Sequence, residues 1–539
     1  MTILPFPLWC ILLLSGCIVF YRLGRRQLNS RNALKLPPGP KPLPLFGNIR
    51  DFPPDGTVEY QHWLTHKDQY GDISSVTVIG TTLVLIHNKK MAHELLETMA
   101  SKTSGRPTMV MANKLCGYES IVVCQGYTPK FRRYRKYLHQ ELGTAVSAAR
   151  FRDAQEIEVG RQLVRTLNEP ARWLGHCKTA AAATVLKMAY GYTIEPHQPD
   201  KLVNSIEKMM TEFSRAAIPM GWAVDIIPAL QYLPESFPGA GFKKTASEWR
   251  KSIMASAYTP YRFVQRQMAA LTHQPSYVSK LIEQLKEEGN GNKPRTEDEE
   301  AIIWTAATLY GAAADTTTIS LTAFTLAMIK FDHVQRKAQE ELDRVVGTDR
   351  LPTFEDRPNL PYINALVKEV TRWWPITPMG FSHTATEDIQ FAGFHIPKGA
   401  YLLPAVWWFL NDPEVYPNPE CFDPDRFLPP RSELDPESDV FGYGRRRCPG
   451  RFFADSGLYI NIAQSLAVFK FMKAVGRDGR EIDVDVKPKP GILAYLGEFG
   501  FRIEPRSEEH TELIKQFQQR HPFEEGDAEL LEGMEAVKV

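Results

Sequence analysis

Net charge is almost absent from this 539-residue sequence: 64 lysines and arginines face 63 aspartates and glutamates, a formal +1. So even a balance withdraws support from nucleic-acid binding, which needs a strongly basic face. Cysteine is sparse and unpatterned. Cys10, Cys17, Cys116, Cys124, Cys177, Cys421 and Cys448 are odd in number, contain no CxxC pair, and two lie in an N-terminal apolar run. That spacing excludes a disulfide framework or a four-ligand zinc site and points to a reducing compartment. No GxGxxG loop opens a βαβ unit, so no nicotinamide or flavin domain is expected in this chain. Internal repeats are missing too, and proline-rich linker occurs only near the N-terminus.

What is present begins with one long uncharged stretch, Ile3–Tyr21, followed by Arg22, Arg25, Arg26, Arg31 and Lys35. No positive charge precedes it and no small-residue cleavage site follows. It therefore reads as a retained membrane anchor over residues 1–23, with the rest of the chain cytosolic. Residues 24–48 form a basic, proline-rich hinge. Five prolines between Pro37 and Pro44 exclude helix and central strand and make a semi-rigid spacer. One catalytic body is expected over 49–505. The acidic, polar tail over 506–539 reads as frayed helix or disorder.

Three- and four-residue apolar spacing predicts helices over Phe131–Leu142, Leu202–Met210, Glu297–Phe331, Asp332–Val346 and Tyr362–Trp374. The longest, rich in Ala and Thr and poor in charge beyond Glu300, has the composition of a helix crossing the middle of a large domain. Alternation with Gly and Pro punctuation predicts hairpins at 72–87 and 388–405. The fold class is mainly α with a smaller β region.

Four stretches carry chemistry. In FGYGRRRCPG, residues 441–450, a single cysteine stands among glycines and a proline, behind three arginines. Such a backbone is prescribed, and such arginines stabilise a thiolate or bind an anion. With no other ligand nearby, a lone thiolate suits haem iron, whose remaining in-plane ligands come from the porphyrin. GAAADTTT, Gly311–Thr318, puts small residues, then Asp315 and Thr316, mid-helix. Its plain structural alternative is a threonine bonded to its own backbone beside an aspartate paired across the core. In KEVTR, Glu369 and Arg372 share a helix face within apolar flanks; an internal pair needs a third charge, and Arg426 in FDPDRF offers one.

Taken together these motifs resemble the cytochrome P450 superfamily over roughly residues 37–505. Phe441, Gly444, Arg446, Cys448 and Gly450 match its FxxGxRxCxG haem-thiolate loop. GAAADTT resembles its oxygen-activation motif, and EVTR with Arg426 its ExxR network. The resemblance implies haem b (iron protoporphyrin IX) ligated by Cys448, with Arg135, His383 and Arg446 near its propionates and Asp315 and Thr316 delivering protons to dioxygen. For His383 the plain alternative is a satisfied surface histidine in a hairpin. Ala313 stands where the family usually has glycine and is expected to narrow the oxygen groove. Phe131 replaces the usual tryptophan, so one hydrogen bond to a propionate is lost while Arg135 remains.

The same resemblance implies monooxygenation of a hydrophobic small molecule. Electrons would come from NADPH through a cytochrome P450 reductase, with cytochrome b5 as a further donor, docking near Arg445, Arg447 and Arg451 in the endoplasmic-reticulum membrane. Substrate walls are expected from 108–123, 304–314, 376–381 and 492–499, with the apolar stretch 218–242 at a membrane-facing entrance. That stretch resembles fungal natural-product enzymes of the O-methylsterigmatocystin oxidoreductase group. The alternatives are a haem-thiolate isomerase or dehydratase, which needs no reductase and which Asp315–Thr316 disfavours, and a non-catalytic haem-binding membrane protein.

Overall fold

The computed structural model describes residues 34–54, 56–288 and 296–534; the anchor expected at 1–23 lies outside them. Helix α1 spans Pro129–Leu142, α2 Arg152–Asn168, α3 Trp173–Tyr190, α4 Lys201–Ala216, α5 Gly241–Ala269, α6 Tyr277–Glu288, α7 Thr296–Lys330, α8 Asp332–Val345, α9 Pro361–Trp373, α10 Arg451–Val468 and α11 Glu508–Arg520. Shorter helical turns connect them. The five helices read from apolar spacing are all present, the second extended to Ala216.

Helix α7 is the axis. Among the described residues it alone is long and apolar enough to cross a membrane, yet most of its most apolar stretch is buried inside the molecule. Buried hydroxyls are affordable there because threonines bond one turn back: Thr305 to the Ala301 carbonyl, Thr308 to Trp304, Thr316 to Ala312, Thr325 to Leu321. Helix α3 packs along it, with Trp173 donating to the Thr325 hydroxyl at 2.8 Å.

Strands β1 (Ile73–Val78) and β2 (Thr81–Ile86) form the expected hairpin, Ile73 opposite Ile86. The second hairpin is shorter than expected. Strands β4 (Ile389–Phe391) and β5 (Phe394–Ile396) pair with each other, whereas β6 (Tyr401–Pro404) leaves them to lie parallel to β2 and antiparallel to β3 (His383–Thr384). The reason is burial: every residue of β6 is buried, which suits the interior of a sheet rather than one exposed hairpin arm.

The tail also departs from expectation. Strands β7 (Phe469–Lys473) and β8 (Phe501–Pro505) pair antiparallel, and β8 leads directly into α11. Ser507 caps that helix, and Leu513, Ile514 and Phe517 are buried. Phe517 nests on α2 at Gly160, where a Cβ would lie 2.1 Å from its ring. Further on, Glu524 pairs with Lys187 and Arg161, and Leu531 and Met534 are buried. An acidic composition had hidden one apolar stripe at helical spacing.

Helix α9 begins at Pro361, its first amides capped from α8 by the Glu341 carboxylate, 3.0 Å from the amides of both Tyr362 and Ile363. It carries the charge network. The Glu369 carboxylate accepts Arg372 Nε and Nη2 at 2.7 Å each, Arg426 Nε at 3.1 Å and the Asp423 amide at 2.9 Å. Glu369, Arg372 and Arg426 are all 0% exposed, so the exposed-pair reading fails. A fourth member, Glu433, accepts from Arg426 at 2.7 Å and balances the second guanidinium. Backbone carbonyls of Leu410 and Pro419 take further Arg372 donors. Breaking such a network from one side leaves an uncompensated buried charge. Glu369→Ala is expected to cost about 3–5 kcal/mol and to abolish soluble, folded protein. Yield and thermal midpoint measure this; a variant matching the parent in both would show the network dispensable.

Candidate haem-thiolate site

The cysteine loop is shaped by glycine. Gly442 and Gly444 adopt φ of +73° and +51°, a region that side chains rarely tolerate. A Cβ on Gly444 would also stand 2.5 Å from the Leu96 carbonyl. Gly444 thus serves the packing of the loop against the Glu94–Thr98 turn and does not line the cavity. The Cys448 amide donates to the Phe441 carbonyl at 2.8 Å. Gly450 immediately precedes α10, and its N–H points at the Cys448 sulfur.

The half-buried Cys448 lines a cavity of about 310 Å³, crossed by α7. Burial raises its thiol pKa; the Gly450 amide, Arg135 and Arg451 pull the other way. None of the three arginines directly before the cysteine has that effect. Arg445 stacks on Tyr127, and Arg447 pairs with Glu437 at 3.1 Å, a carboxylate that Arg451 shares. Arg446 turns into the cavity.

There it joins two others. Arg446 donates to the Ser104 carbonyl at 2.9 and 2.7 Å and lies 3.8 Å over the Phe131 ring. Phe131, lacking a ring N–H, thus supports the arginine through its face. Arg135 donates to the Arg447 carbonyl at 2.7 Å. Arg106 donates to the carbonyls of Val123, Phe381 and Ser382 at 2.9, 2.7 and 2.7 Å. All three line the cavity, and among the described residues none pairs with a carboxylate. Burial, together with mutual repulsion, pushes Arg446 down to about 8 and Arg106 to about 10. Arg446 Nη1 is buried without a partner. His383, also on the lining, has Nδ1 2.9 Å from the Thr103 carbonyl; burial and the neighbouring Arg106 hold it well below its ordinary pKa, hence neutral. It is 3% exposed, so it is no surface histidine.

Such a cluster of unsatisfied buried cations calls for an anion. A porphyrin bearing two propionates would meet that demand, and Cys448 beside α10 would offer its thiolate to the iron. The residues present fit haem. Among the described residues, no group of three or more His, Cys, Asp or Glu could hold a metal ion by itself.

On α7, Thr316 and Ala313 line the cavity. The Thr316 hydroxyl donates to the Ala312 carbonyl at 2.6 Å, so the expected functional position and the plain back-bonded geometry coexist. Asp315 turns the other way and accepts from the Tyr495 hydroxyl at 2.5 Å. Burial pushes its carboxyl up to about 6, against the Tyr495 bond and Lys178.

The walls come from Ile121–Val123, Ala307–Ala313, Ile376–Phe381 and Leu493, within the four expected segments. No residue of 218–242 lines the cavity. Met220 instead packs with Trp63 and Leu83. Arg106 escaped the sequence reading, its only mark being a charge isolated between Gly105 and Pro107. Met209, Met210 and Phe213 of α4 escaped as well, since their helical spacing reads equally as packing.

With the geometry established, residues 37–493 match the family described as Cytochrome P450. The chain belongs to that family and is a haem-dependent monooxygenase. It is 46% identical over 516 residues to a multifunctional cytochrome P450 monooxygenase of Aspergillus fumigatus, covering 95% of each chain. A cytochrome P450 monooxygenase of Gibberella zeae is 45% identical over 524 residues, covering 97% of this chain and 98% of the relative. O-methylsterigmatocystin oxidoreductase of Aspergillus flavus is 37% identical over 498 residues, 92% of each.

The raised Asp315 carboxyl sets a pH signature. Between its ordinary 3.8 and about 6 the folded protein holds a proton that the unfolded chain releases. That stabilisation is present below 3.8 and is lost as pH rises to about 6. Asp315→Asn should therefore gain stability over the parent as pH rises from about 4 towards neutrality, on the order of 3 kcal/mol. Thermal midpoints across that range test it; a constant difference would contradict the buried, protonated carboxyl.

Proposed function

We propose that this chain hydroxylates, in one step or several, a hydrophobic small molecule of fungal secondary metabolism, using dioxygen and electrons from NADPH. The observation that supports this most directly is one cavity shared by the Cys448 thiol, the Thr316 hydroxyl and three unpaired arginines. Arg106, Arg135 and Arg446 would hold the haem propionates, with neutral His383 packed beside them. Phe441 and Gly450 would frame the thiolate, one through its carbonyl and the other through its N–H. Haem bound there would supply dioxygen activation, which the Cys448 thiolate would promote by donating electron density.

The chain's own part is positional and protonic. The small residues Gly311–Ala313 leave room on the α7 side of the cavity. Thr316 holds a hydroxyl proton at the cavity face of α7. Asp315 keeps a second proton on the other face, exchangeable near neutrality and oriented by Tyr495. The apolar walls hold substrate and exclude water.

Electrons would be delivered by a membrane NADPH–cytochrome P450 reductase, with cytochrome b5 as a further carrier, at the face carrying the exposed Arg445. The partial neutralisation of Arg447 and Arg451 by Glu437 narrows that face. The catalytic body, tail included, would sit on the cytosolic side of the endoplasmic-reticulum membrane behind the anchor at 1–23.

Two variants test this reading. Cys448→Ala should lose the thiolate-type absorption of the reduced, carbon-monoxide-bound protein together with all turnover; retention of that absorption would remove Cys448 as ligand. Thr316→Ala should fold, bind haem and consume NADPH, with product per NADPH falling roughly 100-fold and peroxide rising in its place. Unchanged coupling would relieve Thr316 of its proton role.

A further inference from the structure

The cavity is divided by charge. Every charged or imidazole side chain on its lining (Arg106, Arg135, His383, Asp439 and Arg446) belongs to the rim around the cysteine loop. Asp439 there is already committed, to Lys89 at 2.7 Å and to His93 at 3.1 Å. The opposite wall, from the 121–123 loop, α4, the first half of α7, 376–381 and Leu493, contributes no charged side chain at all.

That wall also offers little free hydrogen bonding: among its described lining side chains only the Thr377 hydroxyl is left without a partner. Its one hydroxyl on this stretch of α7, Thr308, donates to the Trp304 carbonyl at 2.7 Å and accepts from the Val122 amide at 3.3 Å. The nearby carboxylate of Asp225 lies off the lining and accepts from the Met111 amide. What remains is soft and apolar. Phe213 and Phe381 stack with centroids 6.4 Å apart, and Met209 and Met210 face Gly311, where a Cβ would meet their ends at 3.3 and 3.1 Å. Thioethers adapt to irregular shape but anchor no polar group.

We infer that the substrate is an uncharged, hydrogen-bond-poor hydrocarbon skeleton, held chiefly by shape. The inference rests on the monooxygenase reading above and narrows it. A carboxylate or ammonium on the substrate would be stripped of water against a wall with no counter-charge, while haem propionates would occupy the arginines of the rim. Several hydroxyls would suffer likewise, each losing its water bonds without replacement.

The test uses the full-length, haem-loaded chain and matched sets of acyclic, bicyclic and tricyclic skeletons. Each set holds the hydrocarbon, its triol, its carboxylic acid and its primary amine. Binding is read from the substrate-induced shift of the haem absorption near neutral pH. The tightest ligand should be a hydrocarbon, with its acid and amine roughly 100-fold weaker or worse, the effect of a buried unpaired charge. A charged member or a triol binding as tightly as its parent hydrocarbon, or no hydrocarbon binding in any set, would overturn the inference. The carbon-monoxide spectrum of the same preparation separates the two readings: a missing thiolate-type absorption faults the assignment of Cys448, whereas a normal one confines any failure to the substrate class.

Discussion

A helix of 35 residues buried on most sides must satisfy its polar groups within itself, and α7 does so through threonines that bond one turn back. That solution frees its surface for two uses. Along its C-terminal half it packs closely, Trp173 of α3 closing on Thr325. Around Gly311–Ala313 its side chains shrink, and the space left is the cavity. Because the backbone hydrogen bonds of α7 are complete on both stretches, the helix can border a void without exposing unsatisfied groups. Thr316 is one more back-bonded threonine, distinguished only by facing the cavity.

Arginine is buried in this protein in two opposite ways. Arg372 and Arg426 meet two carboxylates and a set of carbonyls, so their charge is neutralised and the connection between α9 and the Arg426 turn is rigid. Arg106, Arg135 and Arg446 receive carbonyls alone. Each is desolvated without a counter-charge, which lowers its affinity for protons; Arg135 lowers that of Arg106 further, and both lower that of Arg446. The first arrangement stabilises the chain as it stands. The second favours a bound anion, because the missing charge must come from outside the chain. The cysteine loop lies beside the second cluster, where Arg446 is one of its own residues, so the Cys448 sulfur and one of the three uncompensated arginines are held by one short segment.

Much of this was legible in one dimension. The helices came from apolar spacing, α7 from its Ala and Thr composition, and the thiolate from glycines around a lone cysteine. Glu369, Arg372 and Arg426 could be read as one network because charges within apolar flanks need partners. Local geometry determines such features, and local sequence therefore carries them. Other features depended on which distant segments meet. Whether Tyr401–Pro404 pairs with its neighbour or with β2 was decided by burial on both faces, which no alternation reveals. The acidic tail became a docked helix because Gly160, hundreds of residues earlier, leaves room for Phe517. Arg106 and Glu433 gained meaning only beside Arg446 and Arg426, and Asp315 turned to Tyr495 rather than to the cavity. The sequence alone determined the central helix and the family, since these rest on residue type and near-neighbour spacing. Tertiary structure alone decided where uncompensated charge collects and which wall is left without any, because both are sums over groups that the chain brings together from far apart.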